Sequence, residues 1–349
     1  MVKGRTVLVI GAGASYELGF SLGTKLKEDI ANLLSFGYHN RDFIYKDELI
    51  YETIRVYSSN NCKTSFEDLI NASNDIHRAM PLAISIDHFL DAHKGNSEIE
   101  FCGKIGIARA ILDQEKSSKI YFDRLNDIGP DFNFKKDIWL TSFFQILTEN
   151  CKRSDLPERF SKFTLIIFNY DRSVEHFLYH ALQYYYKLSP FDAREILSYI
   201  EIYHPYGTVG TLPWMEQDNS IEFGKEPTAY QLMKLAEELN TFTEGVTSQK
   251  NRISKIRASI SNSDLALFLG FAYHPMNLRL LRKEKGTALI ANRNEMKCIG
   301  TAYKISFSDL DIINSELVEM GFKAIEIENT LTCSDLFKNR WRTLSLAKI

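Results

Sequence analysis

The sequence predicts an α/β protein: a Rossmann-like parallel sheet with helices on both faces, interrupted by a helical insertion and carrying no zinc module. Three observations predict it. Short apolar runs recur along the chain and are continuous rather than alternating, the pattern of strands buried on both faces. Amphipathic stretches lie between most of these runs, so strands and crossover helices alternate. A glycine-rich turn, Gly11-Ala12-Gly13-Ala14-Ser15, stands directly between the first run and the first helix.

The first run, Thr6–Ile10, is β-branched and apolar and reads as a central strand. After the glycine turn, apolar spacing over 23–34 predicts an amphipathic helix. From about residue 46 to 151 the texture changes. Apolar residues recur at helical spacing (Phe66, Leu69, Ile70; Ile86, Phe89, Leu90; Ile105, Ile107, Ile111, Leu112; Trp139, Phe143, Ile146, Leu147), and no convincing strand run interrupts them. Ser65 with Asp68 three positions on predicts a helix start with a capping box. Strand signals return at 163–168 (FTLIIF), 200–203 (IEIY), 265–269 (LALFL), 288–291 (ALIA) and 324–327 (AIEI). Helices are expected between most of them, over 173–186, 228–239, 277–282 and 308–320. The polar stretch 243–263 reads as a loop or an exposed helix. The domain plan that follows is a core from 1–45 and 155–330, a helical insertion over 46–154 and a C-terminal extension over 331–349.

The chain has 349 residues, a length for one large domain with an insertion or for two domains. Lys+Arg 42 against Asp+Glu 45 gives a net charge of −3, which excludes a nucleic-acid binder working through bulk charge. No stretch of about 18 apolar residues predicts a membrane span, and the short apolar run at the N-terminus does not read as a signal peptide. The five cysteines are far apart and form no CxxC pair, so free thiols of a reducing cytoplasm are expected rather than a zinc site.

Chemistry is expected at the carboxyl ends of the strands, where ligands collect in open parallel sheets. In the turn 11–15, glycine lets the backbone turn sharply and come close to a ligand, and the following helix start offers N–H groups to a phosphate. Tyr16 stands where the dinucleotide fingerprint has its third glycine, and no GK[ST] follows. At the end of FTLIIF, Asn169 and Asp171 offer an amide and a carboxylate to a polyhydroxylated ligand; Asp171 or Ser173 would equally serve to cap the next helix. His204, in His204-Pro205-Tyr206-Gly207, stands at another strand end, and its ordinary pKa of about 6.5 suits proton transfer near neutrality. His176 and His180 are four apart but lack the Glu of HExxH, so they read as a helix face. Gly270-Phe271 after LALFL and Asn292 after ALIA are weaker candidates for the same edge.

Taken in order, GAGAS, NYD, HPYG, GFAYHP and ALIAN resemble the motif series of the sirtuin-like superfamily. That series is a GAGxS loop, an Asn-x-Asp at a strand end, a His near a Gly, a Gly-Ser/Thr-type turn and a strand ending in Asn. The resemblance runs from Thr6 to about Ile327. Four departures accompany it: no four-cysteine zinc module, Phe20-Ser21-Leu22-Gly23 in place of Ile-Pro-Asp-Phe-Arg, Phe168 in place of Gln before Asn169, and Pro205-Tyr206 between His204 and Gly207. The combination, with the segment SIDHFLDAH at 85–93, resembles the divergent sirtuin-like branch of bacterial antiphage defence, whose members cleave NAD.

The resemblance implies an NAD glycohydrolase that needs NAD as substrate and no metal. It implies that Asn169 orients the ribose and the water, and that His204 engages a ribose hydroxyl or the attacking water as general base. Asp171 would hold the nicotinamide or ribose side. The loop Gly11, Ala12, Gly13 and Ser15 would take the diphosphate, and Asn292 the adenosine part, with Gly270 and Phe271 lining the same edge. An enzyme that drains NAD needs control, so a homo-oligomer or a separately encoded partner such as a ring-shaped ATPase is expected. A non-catalytic NAD-binding or nucleotide-binding sensor, a protein deacylase and an ordinary dehydrogenase are the other readings.

Overall fold

The computed structural model describes residues 4–123, 130, 132, 137–215, 220–240, 250–283 and 296–345. The strands are β1 Thr6–Ile10, β2 Phe36–His39, β3 Asp42–Tyr45, β4 Phe163–Ile167, β5 Glu201–Tyr203, β6 Leu265–Leu269, β7 Lys297–Thr301 and β8 Ala324–Glu328. Six of them form an all-parallel sheet in the order β5-β4-β1-β6-β7-β8, and β2 and β3 form a separate antiparallel hairpin. Every residue of β1 and β6 is buried, as continuous apolar runs covered on both faces require.

Winding changes direction at β1. The chain adds β4 and β5 on one side of it, then returns to place β6, β7 and β8 on the other. Register sets the level of the edge: Ile10 lies beside Ile167 of β4 and Leu269 of β6. The turns after these three strands therefore leave the sheet side by side at a topological switch point, where such sheets bind ligands.

The helices up to residue 240 are α1 Ala12–Tyr16, α2 Gly23–Leu33, α3 Glu48–Asn60, α4 Phe66–Ala79, α5 Ile86–Ala92, α6 Ser97–Ser117, α7 Trp139–Thr148, α8 Leu156–Phe160, α9 Ser173–Tyr186, α10 Pro190–Leu197 and α11 Ala229–Glu238. The start of α4 has the expected capping box: the Asp68 N–H donates to Ser65 Oγ, and the Ser65 N–H donates to Asp68 Oδ2. Among the described residues of the insertion the regular elements are helices, and they do not stand apart from the core. α6 is buried around its circumference, packed by α4, α2 and α11, which explains why its apolar residues show little one-sided spacing. The C-terminal extension is likewise core. In its helix Cys333–Asn339, Leu336 and Phe337 are fully buried, and Phe337 stacks near Trp139.

Two parts of the strand pattern, β7 and the β2–β3 hairpin, differ from expectation. The expected strand 288–291 lies outside the described residues. β7 was not expected, since KCIGT mixes Lys and Gly into a short run; four of its five residues are buried beside β6. The hairpin β2–β3 escaped because its turn, Asn40-Arg41, carries no glycine, although both residues have positive φ (50 and 73). β8 is the sheet's edge; its Glu326 and Glu328 pair with Lys297 and Arg340. Among the described residues no helix is long and apolar enough to cross a membrane.

Candidate functional site

The turns after β1, β4, β5 and β6 meet through one polar network. Asn169 donates from Nδ2 to the Gly11 carbonyl at 3.0 Å and to Ser15 Oγ at 2.6 Å. The Ser15 hydroxyl donates in turn to Asp171 Oδ2 at 2.6 Å. Ser15 and Asp171 are buried. Both amide hydrogens of Asn169 are thereby used, which leaves its Oδ1 as the remaining acceptor. The His204 ring reaches the same residue from β5, with Nδ1 3.2 Å from the Asn169 backbone oxygen. Sequence reading proposed Ser15, Asn169, Asp171 and His204 from three separate motifs, and the fold brings all four together.

Asp171 is also a cap. Its Oδ1 accepts the Ser173 N–H at 3.0 Å at the start of α9, so both carboxylate oxygens have partners inside the protein. Asp171→Asn keeps an oxygen for Ser173 but takes away the acceptor of the Ser15 hydroxyl. A loss of about 1 kcal/mol is expected in a urea melt of the ligand-free protein. A melt identical to the parent's, together with lost activity, would instead place Asp171 against the ligand.

The glycine loop has a different physical reason from the one its motif suggests. A Cβ on Gly13 would lie 2.8 Å from Gly270 Cα and 2.9 Å from Gly270 O, and one on Gly11 would lie 2.7 Å from Gly270 O. Gly270 itself has φ +56, and its own Cβ would lie 2.0 Å from the Ala14 nitrogen. The close approach is therefore between two backbone turns, after β1 and after β6. Donors are used the same way. The Gly11 N–H donates to Leu269 O, the Gly13 N–H to Gly270 O and the Ala14 N–H to Gly11 O. Ala12 is the exposed residue of the loop's Gly-Ala-Gly. Gly13→Val is expected to destabilise the ligand-free protein by about 1–3 kcal/mol, because a backbone neighbour cannot rotate away. A parental melt without ligand, combined with loss of ligand-induced stabilisation, would restore the ligand-approach reading.

Phe271 presents no free side chain at this edge; it is buried against Phe168, Phe268 and Tyr273. Asn292 lies outside the described residues. His176 and His180 face aromatic rings, His176 stacking on Phe223 at 4.1 Å, and among the described residues no group of three or more His, Cys, Asp or Glu is arranged to hold a metal ion.

Three features of the site escaped sequence reading. Glu175, in the first turn of α9, places Oε1 2.7 Å from His204 Nε2, and both side chains are buried. An acidic residue there reads as an ordinary helix-start charge, so nothing local marks it. Asp87 of α5 accepts the Tyr170 hydroxyl at 2.7 Å, tying the insertion to the Asn169-x-Asp171 turn. Burial pushes the Asp87 carboxyl up from the usual carboxylate range, and the Tyr170 hydroxyl acts in the opposite direction. Arg172 is bound by Glu115 of α6 through two side-chain hydrogen bonds, Nε to Oε1 at 3.0 Å and Nη2 to Oε2 at 2.5 Å, and through its backbone N–H to Oε1 at 3.3 Å. Beside His204 and Glu175 a cavity of about 510 Å³ opens, lined also by Arg194, Arg252, Thr211 and Trp214.

No protein-family model matches the chain, and no curated protein matches it either. The likeness to the sirtuin-like series therefore rests on its short motifs alone.

Proposed function

We propose that this chain hydrolyses NAD to nicotinamide and ADP-ribose, as an effector that depletes NAD in bacterial antiphage defence. The observation that carries the reading is Asn169. Its side chain spans the ends of β1 and β4, and its backbone oxygen meets the His204 ring from β5. A ribose at that edge would have an acceptor in Asn169 Oδ1 and a titratable ring from His204 close by. Bond cleavage gives an oxocarbenium-like ribose, and the attacking water must lose a proton, which a neighbouring imidazole nitrogen can accept. The motif order supports the same reading through its resemblance to NAD-cleaving sirtuin-like proteins.

A second reading is a non-catalytic NAD-binding or nucleotide-binding subunit. It is favoured by the internal satisfaction of Asp171 and of both Asn169 amide hydrogens, which makes the network a firm scaffold with few donors to spare. Incubation of pure protein with NAD, followed by chromatography, separates the two. Nicotinamide and ADP-ribose in equal amounts support hydrolysis. Thermal stabilisation by NAD without nicotinamide supports the binding subunit. Nicotinamide released only in the presence of an acylated peptide would indicate a deacylase. Control of such an activity would come from homo-oligomerisation or from a separately encoded partner such as a ring-shaped ATPase, and light scattering of the chain alone and with candidate partners tests this.

A further inference from the structure

The partners of the His204 ring constrain its protons. Nδ1 faces the Asn169 backbone oxygen at 3.2 Å, and Nε2 faces Glu175 Oε1 at 2.7 Å. A backbone carbonyl only accepts, so the first contact is attractive only when Nδ1 carries hydrogen. The second contact, between an imidazole nitrogen and a carboxyl oxygen, then needs one further proton, on Nε2 or on Oε1. Without it, a lone pair would face a carboxylate at hydrogen-bond distance. Both contacts are attractive together when the pair holds one proton more than a neutral imidazole beside an ionised carboxylate. The other carboxyl oxygen, Glu175 Oε2, is buried with no hydrogen-bond partner among the described residues.

We infer that Glu175 is the positioning residue of His204, and that the two together take up the proton released when NAD is hydrolysed. This rests on the proposed hydrolysis. In the proton-free form Nδ1–H stays on the Asn169 carbonyl, Glu175 is ionised and the Nε2 lone pair is open. Water attacks the ribose carbon as the bond to nicotinamide breaks, and the bonding electrons leave with nicotinamide as a neutral molecule. The water's O–H bond breaks, and its proton passes to Nε2, where it is held against Glu175 Oε1. The products are nicotinamide, ADP-ribose and the loaded pair, which returns its proton to solvent before the next turnover. The single proton released per NAD hydrolysed is the one the pair holds and then returns to solvent.

Two measurements test this, and only one needs activity. In a ¹⁵N-histidine spectrum of the ligand-free protein, with His204 assigned by substitution, Nδ1 is expected to be protonated in every form of the ring. A neutral ring protonated on Nε2 with Nδ1 bare would overturn the assignment, whether or not the protein cleaves NAD. The second measurement uses Glu175→Gln, whose amide can donate to Nε2 and keep the ring in place but cannot hold the proton as a carboxyl group does. Its kcat is expected to fall by about 10²- to 10⁴-fold, with KM and the melting midpoint close to the parent's. Glu175→Asp, which keeps a carboxylate, should recover part of the loss. Parental kcat in Glu175→Gln, in a protein that does release nicotinamide, sinks the inference and leaves the hydrolysis reading standing. Absence of nicotinamide release from the parent sinks the hydrolysis reading and the proton-uptake step, and the spectrum still decides the pairing.

Discussion

His204→Gln is expected to lower nicotinamide release by about 10²- to 10⁴-fold, the loss typical of removing a general base. Glutamine is chosen over alanine for a structural reason. His204 is buried, and its Nε2 lies 2.7 Å from Glu175. Alanine would leave that carboxylate buried without a partner, and the resulting loss of stability would obscure the chemistry. The glutamine amide can still donate to Glu175, but it cannot accept a proton at neutral pH. Melting midpoint and NAD-induced stabilisation should stay near the parent's while product formation collapses. A glutamine variant that turns over NAD at the parental rate would show that His204 is a packing residue and that the base lies elsewhere.

Arg172→Ala is expected to cost about 3–5 kcal/mol in stability, read as a shift of the urea midpoint. Arg172 is 1% exposed and Glu115 is fully buried. The guanidinium satisfies both carboxylate oxygens and also donates to the Ile221 and Thr211 carbonyls, while the Gly224 N–H donates to Glu115 Oε2. Removal of the arginine side chain leaves a carboxylate in the interior with two backbone donors, the N–H groups of residue 172 and Gly224, and no counter-charge. Changing both partners together, as Arg172→Met with Glu115→Leu, should recover a large part of the loss, because the uncompensated charge is gone. Arg172 directly follows Asp171, so the single variant should also weaken NAD turnover as the strand-end turn loosens. A single variant within about 1 kcal/mol of the parent would mean that water enters to solvate Glu115, and that the pair is not a clamp on the site.

The parts of the fold that could be read from sequence share a physical origin. β1, β4 and β6 are runs of β-branched and large apolar residues because both sheet faces are covered, and such runs announce themselves locally. The cap at Ser65 and the helix over α9 are equally local, set by a few side chains and a spacing. β7 and the β2–β3 hairpin were not legible. Lys297–Thr301 is a strand because β6 and β8 pair with it, and Asn40-Arg41 turns without the glycine that usually marks such a turn. At the site, Asn169, Asp171, His204 and the glycines stood out because strand ends are where polar residues need a reason.

The sequence by itself determined the strand-helix alternation, the helical character of the insertion and the strand-end positions of Ser15, Asn169, Asp171 and His204. Each of these follows from the chemistry of neighbouring residues. Only the tertiary structure decided what these residues touch. Glu175 meets His204 across 29 residues, Glu115 meets Arg172 across 57, and Gly13 lies against Gly270 from a different strand end. Buried charges and close-packed backbones find their partners through the fold, where desolvation and steric exclusion act on whatever the topology brings together, and no local pattern records those partners.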